Sequence, residues 1–428
     1  MQYLESGNIY SNLLKVGNEY MEKVLFLCGY FENKYQEEIQ NKTKTFVENA
    51  ANIFQERLIR GLENQTDVKV VSAPFIGAWP KAYSDKKFTQ FEDKKSENGN
   101  IKSTVHYVAF NNIWGIRNIS RRNALKKEVD VFLKTDTDCK KVIIVYSPHT
   151  PLLEAAAYGK SKDKNIHISL IIPDLPQYMN LSKDRHMIYD FFKRIDINRF
   201  KALNNYVDSY MVLTKYMVAD LKIERRPHIV IEGIAEKEKD YLKKEGNTEK
   251  RIAFAGKLNE SFGIKLLIDA FQKIKRTDVH LDICGGGELK EYIEDMCKKD
   301  NRIHYYGLVS AEQSFSILRR ADILVNPRQN NEEYTKYSFP SKDIEYLLTG
   351  NIVIAYMLDG IPDIYKNFFL VPNDETTEAL VETLEAALVE PINKTKERFC
   401  RAKKYLEDER NEYVVAQKIM EMIRETAN

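Results

Sequence analysis

The sequence predicts an α/β fold: two doubly wound, Rossmann-like domains facing each other across a cleft. Three observations predict it. The chain has 428 residues, too long for one ordinary core and suited to two domains of about 200 residues each. Short Val- and Ile-rich runs alternate with helical patterns of about 10–15 residues, the mark of βαβ units and parallel sheets. That alternation comes in two series, separated by the charged, apolar-poor stretch Ala235–Arg251 with its Gly-Asn break.

In the first series KVLFLCGYF (Lys23–Phe31) reads as a buried strand opening into a loop, Asn49–Leu62 as an amphipathic helix and VKVVSAP as a second strand. TVHYVAF, a helix around Arg121–Leu133, KVIIVYS, IHISLIIP and SYMVLT follow. The second series is sharper. RIAFAG, a helix from Gly263, VHLDICGGG, a helix from Glu288, RIHYYG, a helix from Ala311, DILVNP, a helix from Pro340 and IVIAYM alternate without a break. The division expected is an extension at 1–22, a first Rossmann-like domain at 23–225, a second at 226–395 and a C-terminal helix at 396–428. The charged helical pattern Lys394–Ile423 supplies that last element, which has the length to cross back onto the first domain. Open α/β sheets bind ligands at the carboxyl ends of their strands, so two facing sheets place the site in the cleft.

Hydrophobic residues make up 43% and aromatic residues 11%, enough for packed cores and unlike a disordered chain. The balance of 65 basic against 63 acidic residues gives a net charge of +2, without the basic excess of a dedicated nucleic-acid binder. The five cysteines (Cys28, Cys139, Cys284, Cys297, Cys400) are scattered with no CxxC pair. Neither a disulfide framework nor a structural zinc site is expected, and a reducing compartment is. No stretch approaches the roughly 20 apolar residues that span a bilayer, and the polar N-terminus has no apolar signal-peptide core. A cytoplasmic protein is expected, with room for contact at the cytoplasmic face of the membrane.

The stretch NPRQNNEEYTKYSFPSKDIEYLLTG (Asn326–Gly350) holds the densest chemistry. Ser338 or its neighbour can cap the helix it contains, Pro340 suits the first turn and Gly350 the stop. At about 100° per residue, Pro340, Ile344, Leu347 and Leu348 fall on one buried stripe. Ser341 and Glu345 share one edge of that stripe, a turn apart, and Lys342 lies further round beside the unsatisfied N–H groups of the first turn. Those groups, the helix dipole and a lysine make an anion site; a carboxylate one turn deeper can accept hydrogen bonds from a sugar diol. Phosphate above and ribose below is the outline of a nucleotide. The same residues also fit a plain Lys342–Glu345 surface ion pair on a capped helix.

Preceded by ADILVNPR, the motif KYSFPSKDIEYLLTG resembles the C-terminal nucleotide-binding motif of the retaining glycosyltransferases of family four, which have the GT-B fold. The resemblance covers the second domain and reaches more weakly into the first. There IIPDLPQYM (Ile171–Met179) and SPHTP (Ser147–Pro151) are similar to a bacterial capsule and exopolysaccharide branch of that family. It implies that Glu345 holds the donor ribose and that Ser341 and Lys342 meet donor phosphate. A second family motif, a strand followed by Gly, a basic residue and later a Lys-Gly pair, is matched in part by FAGKLNESFG (Phe254–Gly263). Gly256 and Lys257 fill its first positions, but Phe262 stands where the second cation belongs. Another cation must then replace it beside the diphosphate, and Lys342 or Arg328 is expected to do so.

Two further departures fall on the sugar side. Tyr337 replaces a family Glu eight residues before Glu345, leaving Glu332 and Glu333 just upstream. Pro173 and Asp174 replace a family His, which makes Asp174, and then His149, the polar candidates of the first domain. The catalytic set expected is therefore Asp174, His149 and Glu333; the donor-binding set is Gly256, Lys257, Arg328, Ser341, Lys342 and Glu345.

Other motifs are read as structural. In ICGGGELKEY (Ile283–Tyr292) Lys290 takes the place of the third glycine of a dinucleotide fingerprint, so the run reads as a tight turn lining the cleft. The Asp136-Thr137-Asp138 triplet sits in a polar turn, and no His and Cys spacing suggests zinc; no metal or cofactor is expected. The seven histidines are dispersed and no G-x-S-x-G elbow occurs, which sets hydrolases aside. NNIWGIRNISRRNALKKEVDVFLK mixes Trp114, Ile116 and Ile119 with Arg117, Arg121, Arg122, Lys126 and Lys127. Its composition suits anionic lipid, yet its cations do not segregate on a helical wheel, as on an ordinary surface helix.

With the resemblance, the expected reaction is transfer of a sugar from a nucleotide-sugar donor to a saccharide or lipid-linked acceptor hydroxyl, with retention, in cell-surface polysaccharide synthesis. Peripheral membrane contact is expected and a nucleic-acid partner is not. Two other classes stay open. One is a non-catalytic glycosyltransferase-like partner subunit, motivated by Phe262, Tyr337 and Pro173; the other is a GT-B nucleotide-sugar epimerase.

Overall fold

The computed structural model describes residues 22–45, 49–98, 101–135, 139–177, 187–236 and 249–426. Its strands in chain order are β1 (Lys23–Cys28), β2 (Asp67–Ser72), β3 (Lys87–Phe88), β4 (Lys94–Asn98), β5 (Ile101–Tyr107), β6 (Phe110–Asn111), β7 (Lys141–Tyr146) and β8 (His167–Ile172). They continue as β9 (Ser209–Val212), β10 (His228–Val230), β11 (Lys250–Ala255), β12 (Val279–Cys284), β13 (Ile303–Tyr305), β14 (Ile323–Asn326) and β15 (Ile352–Ala355). β7 and β8 are buried along their whole length and β1 all but its first residue, which is why they read as continuous apolar runs.

Among the described residues these strands build an eight-stranded sheet, β10-β9-β8-β7-β1-β2-β5-β4, and a five-stranded sheet, β13-β12-β11-β14-β15; β3 and β6 pair separately. Both large sheets are parallel except for the antiparallel edge pair β4–β5. The structure is thus the α/β fold of two Rossmann-like domains that the alternation predicts. In each sheet the order reverses beside the domain's first strand, between β1 and β7 and between β11 and β14. Connections leave such a switch point in opposite directions and open a crevice at the strands' carboxyl ends.

Two boundaries differ from expectation. β10 pairs in parallel with β9, so the first sheet continues past residue 225 and the passage between domains runs through 231–236. The chain also ends in two helices, Ile392–Glu409 and Glu412–Thr426, where the sequence pattern reads as one. Asn411 makes the break: its Oδ1 accepts from the N–H groups of Tyr413 and Val414 at 2.9 and 3.0 Å, capping a new helix. That last helix packs on Asn49–Leu62 and on β9 and β10. A Cβ on Gly61 would come within 2.1 Å of the Glu412 carbonyl oxygen, so this approach requires glycine.

The outgoing and returning chains run side by side. The Ala235 N–H donates to the Arg410 carbonyl at 2.7 Å. Glu232 is 3% exposed, and its Oε1 accepts from Tyr365 Oη (3.0 Å), Tyr405 Oη (3.0 Å) and Arg410 Nε (2.8 Å). Residues 1–21, most of the expected linker and the Asp136-Thr137-Asp138 triplet lie outside the described residues.

Candidate functional site

The second sheet's switch point brings three segments together. After β11, the Gly256 N–H donates to the Cys284 carbonyl at 3.1 Å and the Leu258 N–H to Gly286 at 3.0 Å, lacing this loop to the glycine turn after β12. Gly285 sits at φ +139°, and a Cβ there would lie 1.8 Å from the Gly256 oxygen. The glycines of this run serve a backbone crossing. Gly263, at φ +75°, opens the helix Ile264–Lys273, and a Cβ on it would lie 2.1 Å from the Pro327 oxygen. The β11 and β14 loops therefore meet backbone to backbone.

Arg328 follows β14 and is 8% exposed; its guanidinium lies 5.2 Å from the Phe262 ring centroid and 5.3 Å from that of Tyr334. Beside it Asn326 Nδ2 donates to Asp343 Oδ1 at 2.7 Å. Burial pushes the Asp343 carboxyl from its ordinary 3.8 up to about 7, against the opposing pull of the Asn326 hydrogen bond and the Arg328 charge. Arg328 Nε and Asp343 Oδ2 are both buried without a hydrogen-bond partner.

The helix that carries Ser341, Lys342 and Glu345 spans Ser341–Leu348, with Pro340 at its N-cap. Ile344, Leu347 and Leu348 are buried on its inner stripe. Tyr346 pins it to the end of β11: its Oη accepts from the Ala255 N–H at 2.9 Å and donates to the Ala255 carbonyl at 3.3 Å. Ser338 does not cap this helix, because its hydroxyl donates instead to the Thr335 carbonyl at 3.3 Å. No side chain caps the N-terminus, and Ser341 stands exposed in the first turn. Lys342 Nζ donates to Glu345 Oε2 at 2.7 Å, with the two side chains 40% and 22% exposed. This is the ion pair the spacing allowed. At the end of β12, burial raises the Cys284 thiol against the opposing pull of the Ser314 hydroxyl and the Lys342 charge.

The remaining sequence candidates are spread around this core. Gly256 and Lys257 lie in the β11 loop, Lys257 exposed. Glu333 points to solvent: its side chain is 73% exposed and pairs with Lys336 at 3.2 Å within the short turn Glu333–Tyr337. Tyr337 has a structural use, since its Oη donates to Asp220 Oδ1 of the first domain at 3.2 Å. Beside it Thr214 Oγ1 donates to the Lys336 carbonyl at 3.0 Å, a second bond between domains.

Across the cleft, the first sheet's switch point holds His149 at the end of β7, as N-cap of the helix Thr150–Lys162. Its ring meets Phe75 edge-on at 5.4 Å, and its Nδ1 is buried without a partner. Burial, with the charges of Arg121 and Arg117, holds its pKa well below the usual imidazole value. Asp174 lies exposed on the turn after the neighbouring strand β8. Arg121, grouped by sequence with surface cations, is 2% exposed and lies 4.3 Å from the Phe110 ring centroid. The readable signal was its place at the head of the stripe Arg121, Leu125, Val129 and Phe132, which the helix Arg117–Leu133 buries as one face.

Residues 249–390 match the family described as Glycosyl transferases group 1. Over 123 residues the chain is 28% identical to an uncharacterized glycosyltransferase of Methanocaldococcus jannaschii; this stretch is 28% of the chain and spans 30% of that protein. Whole-chain likenesses come from solved structures. Sucrose-phosphate synthase from Thermosynechococcus elongatus superposes with a TM-score of 0.61 at 14% identity, over 94% of this chain and 98% of that one. An E. coli trehalose-6-phosphate structure bound with UDP-2-fluoro glucose gives 0.62 at 10%, over 94% and 99%. Anabaena HepE in complex with UDP gives 0.59 at 12%, over 94% and 100%. The fold is GT-B.

Proposed function

We propose that this chain is a glycosyltransferase that moves a sugar from a nucleotide-sugar to a hydroxyl of a saccharide or lipid-linked acceptor, with retention and without a metal. One observation carries the reading: the uncapped start of Ser341–Leu348, with Lys342 and Glu345, stands beside Arg328 at the carboxyl ends of β11 and β14. In this reading Gly256, Lys257, Arg328, Ser341 and Lys342 receive the diphosphate. Glu345 turns from Lys342 to the ribose diol. Arg328, stacked over Phe262, brings its charge to the place where the family motif has its second cation.

Positioned cations and a helix N-terminus stabilise the departing diphosphate as charge develops on it. Asp174 and His149, on adjacent strand ends of the other domain, face the sugar and acceptor. The group 1 match over 249–390 supports the activity, and the UDP ligands of two structural neighbours support a nucleotide-linked donor. Cell-surface polysaccharide synthesis beside a membrane is the setting we favour; exposed Trp114, Ile116 and Ile119 support membrane contact. No helix among the described residues is long and apolar enough to cross a membrane.

Thermal-shift binding of UDP, GDP, ADP and dTDP tests the reading. At a hundredfold excess over Kd a bound nucleotide adds about 2.7 kcal/mol to stability. One of the four is expected to raise the midpoint of the wild type, and Glu345→Ala to lose most of that rise. If none acts at millimolar concentration the donor reading fails, and a non-catalytic partner subunit takes its place.

A further inference from the structure

We infer that the first domain carries a second anion site, built from Arg117, Arg121 and the His149 helix start, and that it receives a phosphate group of the acceptor. The word acceptor rests on the function proposed above; the anion site itself does not.

The site lies where the first sheet's order reverses. Arg117 Nη1 donates to the Ile76 carbonyl at 3.1 Å, and Arg121 Nη2 to the Pro74 carbonyl at 2.6 Å. Both arginines therefore clip the loop that follows β2. Phe75, within that loop, touches the ring of His149 at the end of β7. A Cβ on Gly29, at the end of β1, would lie 2.4 Å from the Phe75 ring, so all three strand ends converge on that aromatic side chain.

Charge sets this cluster apart. Among the described residues neither Arg117 nor Arg121 has a carboxylate within salt-bridge distance, although Arg121 is 2% exposed. Two other largely buried arginines have one: Arg410 pairs with Glu232 at 2.8 Å, and Arg57 reaches Glu236 at 3.9 Å; Arg328, in the proposed donor cradle, shares the lack. The acid at this helix start, Asp196, accepts from Thr150 Oγ1 at 3.5 Å and pairs with neither arginine. Burial lowers the pKa of both guanidiniums, and the charge of Arg117 lowers that of Arg121 further. Arg121 Nε and His149 Nδ1 are buried with no hydrogen-bond partner. A buried charge is retained at a cost unless a counter-ion completes it. Here two positive charges, two orphaned ring and guanidinium nitrogens and the N-terminus of a 13-residue helix all lack an anion. Two charges match a phosphate dianion better than a single carboxylate.

The test uses the full chain in phosphate-free buffer, with whichever of the four nucleotides stabilises it at saturation, so that the donor cradle is filled. Inorganic phosphate is titrated by thermal shift, followed by glucose 6-phosphate against glucose. Wild type is expected to respond to phosphate and to the sugar phosphate but not to glucose. Arg117→Gln should raise the half-maximal phosphate concentration at least tenfold while keeping the nucleotide response, and Arg117→Lys should recover part of the loss. His149→Gln gives an independent reading should Arg117→Gln melt early without ligand. No phosphate response, or an equal response in Arg117→Gln and His149→Gln, overturns the proposal. So does a response that Lys342→Ala abolishes, since phosphate would then be entering the donor cradle. If no nucleotide binds, the donor reading fails by itself, and the phosphate titration in a Lys342→Ala background still decides the anion site.

Discussion

At the second domain's switch point a charged pair closes within the chain, Lys342 reaching Glu345 at 2.7 Å, and Asp343 lies near Arg328 and accepts from Asn326. At the first domain's switch point, Arg117 and Arg121 meet carbonyl oxygens and an aromatic ring and, among the described residues, no carboxylate. Two crevices with the same topology thus differ in one respect: the second holds an ion pair, Lys342 with Glu345, and the first cluster holds none among the described residues. The paired side can exchange one partner for another, as the proposed donor site requires of Glu345. The unpaired side is where we place an anion from outside. Both are rigidly placed, because each rests on loops that cross backbone to backbone or bond into a helix, as Gly29 does when its N–H donates to Gln55 Oε1 at 2.9 Å.

The comparison can be broken most severely at Gly285. Alanine there adds a Cβ 1.8 Å from the Gly256 oxygen at a φ that side chains rarely adopt. Overpacking and backbone strain together should cost about 3 kcal/mol or more, seen as a lower denaturation midpoint in urea. A variant as stable as wild type would show that the two loops are not locked together.

The next effect is on binding. Arg328→Ala should weaken the stabilising nucleotide about tenfold by calorimetry, through loss of a charge-assisted contact of roughly 1.5 kcal/mol. Adding Phe262→Lys, which restores a cation at the neighbouring ring's position, should recover part of that affinity. Unchanged affinity in Arg328→Ala would remove this arginine from the diphosphate site.

Set apart from these by its dependence on pH is the contribution of Asp343. Its folded pKa stands above the ordinary 3.8, at about 7, so the folded chain keeps a proton that the unfolded chain releases in between. This contribution is complete below about pH 4 and is lost as pH rises through about 7. Urea midpoints compared at pH 5 and pH 8 should fall more steeply in wild type than in Asp343→Asn. Equal slopes would mean that Asp343 is already ionised at pH 5.

Smallest of all is Arg121→Met. It gives up two bonds to carbonyls but removes an uncompensated buried charge, so stability should change by less than about 1 kcal/mol. A much larger loss would mean that Arg121 is chiefly a brace for the loop after β2.

Some of this was legible beforehand for a local reason. Strands buried on both faces must be apolar throughout, so β1, β7, β8 and β11 stand out as runs, and their alternation with helices leaves few topologies. The pairing of Lys342 with Glu345 was legible because residues three apart on a helix are neighbours whatever surrounds them. The break at Asn411 was also local; it was missed because a charged helical pattern continues on both sides of the capping residue. Tyr337 looked like a loss because its partner Asp220 lies 117 positions away.

The sequence by itself determined the two parallel sheets, the helix that presents Ser341, Lys342 and Glu345, and the clefts at the strand ends, since periodicity and helix geometry act over a few residues. Only the tertiary structure decided which charges would be matched. It set Arg328 over Phe262, buried Asp343 beside Asn326, and carried Arg121 under Phe110, where no carboxylate among the described residues pairs with it. Those outcomes depend on burial and on partners brought from distant segments, and desolvation, unlike periodicity, is a property of the folded surroundings rather than of the residue.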